Sequence, residues 1–175
     1  MVGNLKIYLG PDKLNGYAAW LHSMPAMLWT ARIGLLGAFF LHVITTILLV
    51  IENRAARADR YEHPATVQAS SASRAMMVSG TIILTFVVFH ILHFAVGVAS
   101  GYHDPYGDYF LPNGHQDAYK MVVHSFSHFP LISLFYIFSM GLLCMHLSHG
   151  FSSVFQTLGL RTERTWPLIR AAGYG

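Results

Sequence analysis

Apolar residues gather into three long runs, separated by polar, arginine-bearing or aromatic stretches. Leu131 to Leu160, LISLFYIFSMGLLCMHLSHGFSSVFQTLGL, contains no Asp, Glu, Lys or Arg. At ~1.5 Å of rise per residue, a helix of this length crosses a ~30 Å hydrocarbon core with residues to spare. The other runs are Ile33 to Ile51, bounded by Arg32 and Glu52, and Met76 to Ser100, which contains TIILTFVVFHILHFAVG. The pattern predicts an all-α fold: a transmembrane helical bundle in a single membrane domain, residues 1–175, with spanning helices at about 33–51, 76–100 and 131–160. Leu14 to His22 (LNGYAAWLH) is aromatic and weakly amphipathic, which suits a short interfacial helix. Before it, Gly10-Pro11-Asp12 ends a stretch too short to span, and Asp12 is a candidate helix cap.

The connections carry a charge asymmetry. Residues 52–74 hold Arg54, Arg57, Arg60 and Arg74, with a serine run at Ser70 to Ser73, and the tail holds Arg161, Arg164 and Arg170. Residues 101–124, read as a loop, are aromatic and mildly acidic (Asp104, Asp108, Asp117), with Lys120 their one basic side chain apart from histidine. The positive-inside rule places the two arginine-rich segments in the cytoplasm, and residues 101–124 and the N-terminal stretch outside. TWPLIRAAGYG at the end of the chain resembles the start of a further helix. MVGNLKIYLG lacks the order of a secretion signal, so insertion is expected to be driven by the spans.

Composition agrees with a membrane location. The chain is 54% hydrophobic and only 11% charged, against about 25% charged in soluble domains, and its net charge of +3 needs no nucleic acid to explain it. The one cysteine, Cys144, gives neither a disulfide framework nor a thiolate metal set.

Every span carries histidine: His42 in the first, His90 and His93 in the second, His146 and His149 in the third. An imidazole in lipid is costly unless something binds it, so these positions point to metal or haem held between helices. Gly34, Ala38 and His42 fall on one i, i+4 row, which lets a helix or a flat ring approach. The alternative, that the small residues serve helix packing and His42 bonds a neighbour's polar group, stays open. Zinc prefers three or four ligands at one depth, often with carboxylate or thiolate, and no acidic residue lies within a span. Bis-histidine haem needs one imidazole from each of two helices and clearance, which Gly34, Ala38, Gly141 and Gly150 offer. Haem is favoured over zinc, and a His-lined membrane metal-binding or transport protein remains the rival.

The run VSGTIILTFVVFHILHF, followed in order by DAYKMVVHSF, FYIFSMGLL and MHLSHGFSSVFQTLG, resembles the cytochrome b subunit of succinate dehydrogenase and fumarate reductase, in its five-helix, two-haem form. The resemblance covers nearly the whole chain, with the family's first and last helices expected to fall outside residues 1–175. It implies axial haem ligands at His42, His90 and His146. His90 lies ten residues after Gly80, and His146 lies four before Gly150 and thirteen before Gly159, as the family spacing requires. By family pairing, His42 and His146 would hold the haem nearer the cytoplasm, and His90 the outer haem, whose partner would precede Met1. His93 and His149 are the reserve candidates, read more simply as hydrogen-bonding to a carbonyl or a haem propionate. His22, His103, His115, His124 and His128 take solvated or interfacial roles, with a quinone or proton contact at His124 or His128 as a lesser option.

The resemblance further implies electron transfer between menaquinone and an iron–sulfur subunit, with a flavoprotein handling succinate or fumarate in the tricarboxylic acid cycle. The complex would sit in a bacterial inner membrane, and this subunit would not itself react with succinate. A cytochrome b anchor of a hydrogenase or formate dehydrogenase is the nearest alternative.

Overall fold

The computed structural model describes residues 3–56, 71–97 and 108–174, and all of its long elements are helices. Arg57, Arg60, Ser70, Ser100, Gly101, His103 and Asp104 lie outside the described residues. The chain divides into two compact units, Met1–Thr66 and Val67–Gly175.

In the first unit a 3-10 segment, Asn4–Leu9, packs against α1, Pro11–His22. Pro11 opens α1, where its missing N–H costs nothing, and Asp12 lies in the first turn. Tyr17 and Trp20 stack at 5.7 Å on this helix. The long helix α2, Pro25–Ala55, has 31 residues, about 46 Å at ~1.5 Å per residue, and none of them is buried. A helix apolar on all sides is at home in hydrocarbon, where the exposed Leu35, Leu41, Ile44 and Leu48 need no protein cover.

The second unit begins with a short turn, α3 (Ser71–Arg74), and continues with α4, Met76–His90. The last turn of that span is a π turn, Ile91–Ala95, closed by the Val96 N–H donating to the Ile91 carbonyl at 2.8 Å. Next comes α5, Ala118–His128, then α6, Pro130–Thr157, and α7, Trp166–Tyr174. Three helical segments, Pro25–Ala55, Met76–Ala95 and Pro130–Thr157, are long and apolar enough to cross a membrane. The protein is therefore an all-α, multi-pass membrane protein.

The structure differs from the sequence reading at α5. Residues from 118 onward are helical where a loop to 124 is expected. The cause is local: Asp117 Oδ1 accepts the Lys120 N–H at 2.9 Å, a side-chain cap, and Met121 and Ser125 form a buried face. The end of α6 is also chemically specified. Gly159 has φ +70°, with the Leu160 N–H donating to Phe155 O at 2.9 Å and the Gly159 N–H to Gln156 O at 3.1 Å. This is a Schellman closure, which favours glycine at the left-handed position.

Within this unit Ser79 faces His146, while His90 and His93 face Tyr136, so α4 and α6 run antiparallel. The buried set is small and partly polar: Ile83, Phe86, Met121 and Ile169 with Ser79, His93, Ser125 and Ser139. Leu131, Leu134, Ile137 and Leu147 of α6 point outward. Lipid solvates those leucines, and the polar side chains turn to the helix contacts, where they can hydrogen-bond.

Candidate functional site

Two histidine centres lie on the α4–α6 pair. At the first, His146 of α6 presents Nδ1 to Ser79 Oγ of α4 at 3.2 Å. Ser79 is 2% exposed, and its hydroxyl also donates to the Met76 carbonyl at 3.2 Å. With that proton on Met76, the oxygen is left to accept from an Nδ1–H, the tautomer whose lone pair lies on Nε2. Gly80, the next residue, lets the ring lie close: a Cβ there would stand 3.4 Å from His146 Cε1. One turn along α6, a Cβ at Gly150 would meet nothing within 4 Å, and the same holds at Gly141.

At the second centre, one hydroxyl joins two imidazoles. Tyr136 OH of α6 lies 3.2 Å from His90 Nδ1 and 3.2 Å from His93 Nδ1. The π turn carries His93, which is buried, with Nε2 3.3 Å from Ser125 Oγ of α5. Ser125 in turn donates to Met121 O at 2.8 Å. Aromatic rings surround this network. Phe86 stacks on the His90 ring at 5.8 Å and meets Tyr136 edge-on at 5.0 Å, and Phe126 meets Tyr136 at 5.0 Å from the other side. Phe89 and Phe94 lie 5.2 and 4.2 Å from the His93 ring. His93 is buried among these rings, whereas His90 is exposed on the helix surface, where its Nδ1 meets the Tyr136 hydroxyl.

Ten residues separate Gly80, beside His146, from His90, which places the two centres roughly 15 Å apart along the helices at ~1.5 Å per residue. Each has an imidazole whose Nδ1 is held by a hydroxyl on the facing helix. In metal sites that arrangement fixes ring orientation and leaves Nε2 to the metal.

The remaining histidines lie on α1, α2, α5 and α6 and in the turn before α5. His42 is exposed on α2 in the first unit, above Ala38 and Gly34 on its row, and a Cβ at Gly34 would meet open space. His149 bonds within α6, Nε2 to Ser153 Oγ at 3.3 Å. The His22 Nδ1 bonds the Ala18 carbonyl at 2.8 Å. His124 and His128 stack at 4.3 Å, with His128 Nδ1 2.8 Å from Ser127 Oγ. His115 sits in the turn around the Phe110–Gln116 bridge, where its N–H donates to Asn113 Oδ1.

Ser79, Ser125 and Tyr136 are the residues that sequence reasoning passes over. Their signal is the one that singles out the histidines, a polar group within or beside an apolar run. No group of three or more His, Cys, Asp or Glu side chains placed to hold a metal ion occurs among the described residues, so a zinc-type closed set is not assembled there. Compared with known proteins, the chain matches no family model, no curated protein and no solved structure, and any functional reading therefore rests on these two centres and on the motifs of the sequence.

Proposed function

We propose that the chain is a haem b-binding membrane anchor that carries electrons between an iron–sulfur subunit and menaquinone, as part of a succinate–quinone oxidoreductase in a bacterial inner membrane. The observation that carries this reading is His146, with Nδ1 on Ser79 and the glycine at position 80 beneath its ring. An axial imidazole needs its ring held in one orientation, which the Ser79 hydroxyl and the close approach of α4 at Gly80 supply.

His42, His90 and His146 supply axial imidazoles, and Ser79 and Tyr136 orient the last two. Phe86 packs on the His90 ring, and Phe89 and Phe126 pack on Tyr136. The open faces at Gly34, Gly141 and Gly150 suit the flat face of a porphyrin. A b haem, when bound, supplies the one-electron iron couple that the side chains of the spans lack. Two centres at different depths let electrons move along the membrane normal. The flavoprotein and iron–sulfur partners dock at the arginine-rich face, which includes Arg54 and Arg161.

A reduced-minus-oxidised spectrum of the purified protein tests the reading. A b-type alpha band is expected, and His42→Ala and His146→Ala are each expected to abolish the inner haem's share of it. A colourless preparation that takes up no haem, or an unchanged spectrum in both variants, overturns it.

A further inference from the structure

The helix α5 carries a histidine pair that the haem reading does not use. His124 and His128, in HSFSH, are four residues apart and so share one face of the helix. Their ring centroids lie 4.3 Å apart, with the planes 24° from parallel. Tyr109 and Phe129 each meet the His124 ring edge-on at 5.7 Å. Packing alone would account for the rings, but it leaves their nitrogens unexplained.

His128 Nδ1 lies 3.3 Å from the His124 carbonyl, one turn back, and 2.8 Å from Ser127 Oγ. A carbonyl oxygen only accepts, so Nδ1 carries a proton, and in the neutral ring the lone pair is left on Nε2. Ser127 agrees with that direction, since its own proton goes to the Val123 carbonyl at 2.7 Å. His128 is exposed, so an ion can reach it from water. His124 is the opposite case. Among the described residues its ring makes no hydrogen bond, and its Nδ1 is buried without a partner. A buried polar atom left in that state is costly, and a bound ion is one of the ways such a group is satisfied.

We infer that His124 and His128 form a binding site for a divalent transition-metal ion, with water on its remaining positions. Two histidines four apart on a helix can reach one metal ion. Imidazole suits zinc, nickel and copper alike, and affinity rises to its maximum at copper, so Cu2+ is the ion held most tightly. Two imidazoles with water make the tetragonal nitrogen and oxygen set that copper(II) takes. Both lone pairs must converge on the ion, which stacked rings do not achieve, so one ring has to turn. His124 is that ring, because it has no hydrogen bond to break, while His128 is held by its carbonyl. Neighbouring charges do not make the site. Asp117 Oδ1 caps α5, and Lys120, one turn before His124, places Nζ on the Asp108 carbonyl at 2.8 Å. The inference does not rest on the haem reading.

The test uses the full chain, without a polyhistidine tag, in lipid nanodiscs. Cu2+ is titrated in and followed by electron paramagnetic resonance. A saturable copper(II) signal with splitting from two nitrogens is expected, and it is expected to be lost in both His124→Gln and His128→Gln. Circular dichroism checks that each variant keeps its helices. A second measurement needs no variant: modification by diethylpyrocarbonate, mapped by mass spectrometry with and without Zn2+. Zn2+ is expected to protect His124 and His128 and to leave His22 and His115 reactive. A two-nitrogen signal unchanged in either folded variant, or equal reactivity of His124 and His128 with and without Zn2+, overturns the inference. A reduced-minus-oxidised spectrum of the same samples separates the two claims, since a copper site without a b-type band removes the haem reading alone.

Discussion

The Ser79 hydroxyl stands 3.2 Å from His146 Nδ1 and is almost wholly buried, so no bulk water replaces that bond when the oxygen is removed. Partners of this kind hold a ligand ring in its tautomer and raise its basicity, and their loss typically weakens metal binding about 10–100-fold. Ser79→Ala is expected to weaken haem binding at the His146 centre by that factor in a titration followed at the Soret band, with helix content by circular dichroism unchanged. Ser79→Thr, which restores the hydroxyl, is expected to recover most of it. Equal affinities in all three proteins would mean that Ser79 merely packs. The residue scale is also where sequence reading stops short. A histidine in an apolar run declares itself because burying it is costly. Whether it faces a ligand or a hydroxyl depends on residues 46 and 67 positions away, Tyr136 for His90 and Ser79 for His146.

At the scale of elements, the contact between α4 and α6 is close where Gly80 meets His146. A methyl group at position 80 would lie 3.4 Å from His146 Cε1, ordinary contact distance, while the helix gains the propensity difference between Ala and Gly. If His146 holds haem as proposed, Gly80→Ala is therefore expected to keep it and to gain roughly 0.5–1 kcal/mol of stability. Gly80→Leu drives a branched side chain into the imidazole and is expected to strip the haem band at His146 while the His90 centre stays intact. Haem extraction followed by redox titration distinguishes the two, since on the proposed reading only Gly80→Leu should lose the potential assigned to His146. The three spans are legible in the sequence because an uncharged run of this length has few other stable uses. The helix α5 is legible in retrospect, through Asp117 three residues before Lys120, but its run is short and partly polar, and a loop reading fits the composition equally well. The π turn has no residue signature: HILHFAVG contains no proline, and the contacts that His93 makes on that turn, with Tyr136 and Phe94, are tertiary or specific to its geometry.

For the whole molecule, the antiparallel α4–α6 pair turns a question of sidedness into one of depth. Along α6, Tyr136 lies six residues from Pro130 and His146 eleven from Thr157, so His90 sits toward the α5 end and His146 toward the α7 end. The arginine count predicts that the α7 end, where Arg161 stacks on Trp166 at 3.8 Å and donates to Gln156 at 2.8 Å, lies inside. It places the connection that carries Asp108 and Asp117 outside. Cys144 is the single cysteine and is exposed on α6 within the span, so Cys144→Ser gives a clean background. In that background Glu163→Cys is expected to react with a membrane-impermeant maleimide only in inside-out vesicles, and Asn113→Cys only from the outer face of intact cells. The reverse pattern would invert the molecule, place His90 nearest the cytoplasm and remove the arginine-rich face as a docking surface for a cytoplasmic iron–sulfur subunit. The expected pattern makes His146 the inner imidazole, so an electron arriving from such a partner would meet it before His90.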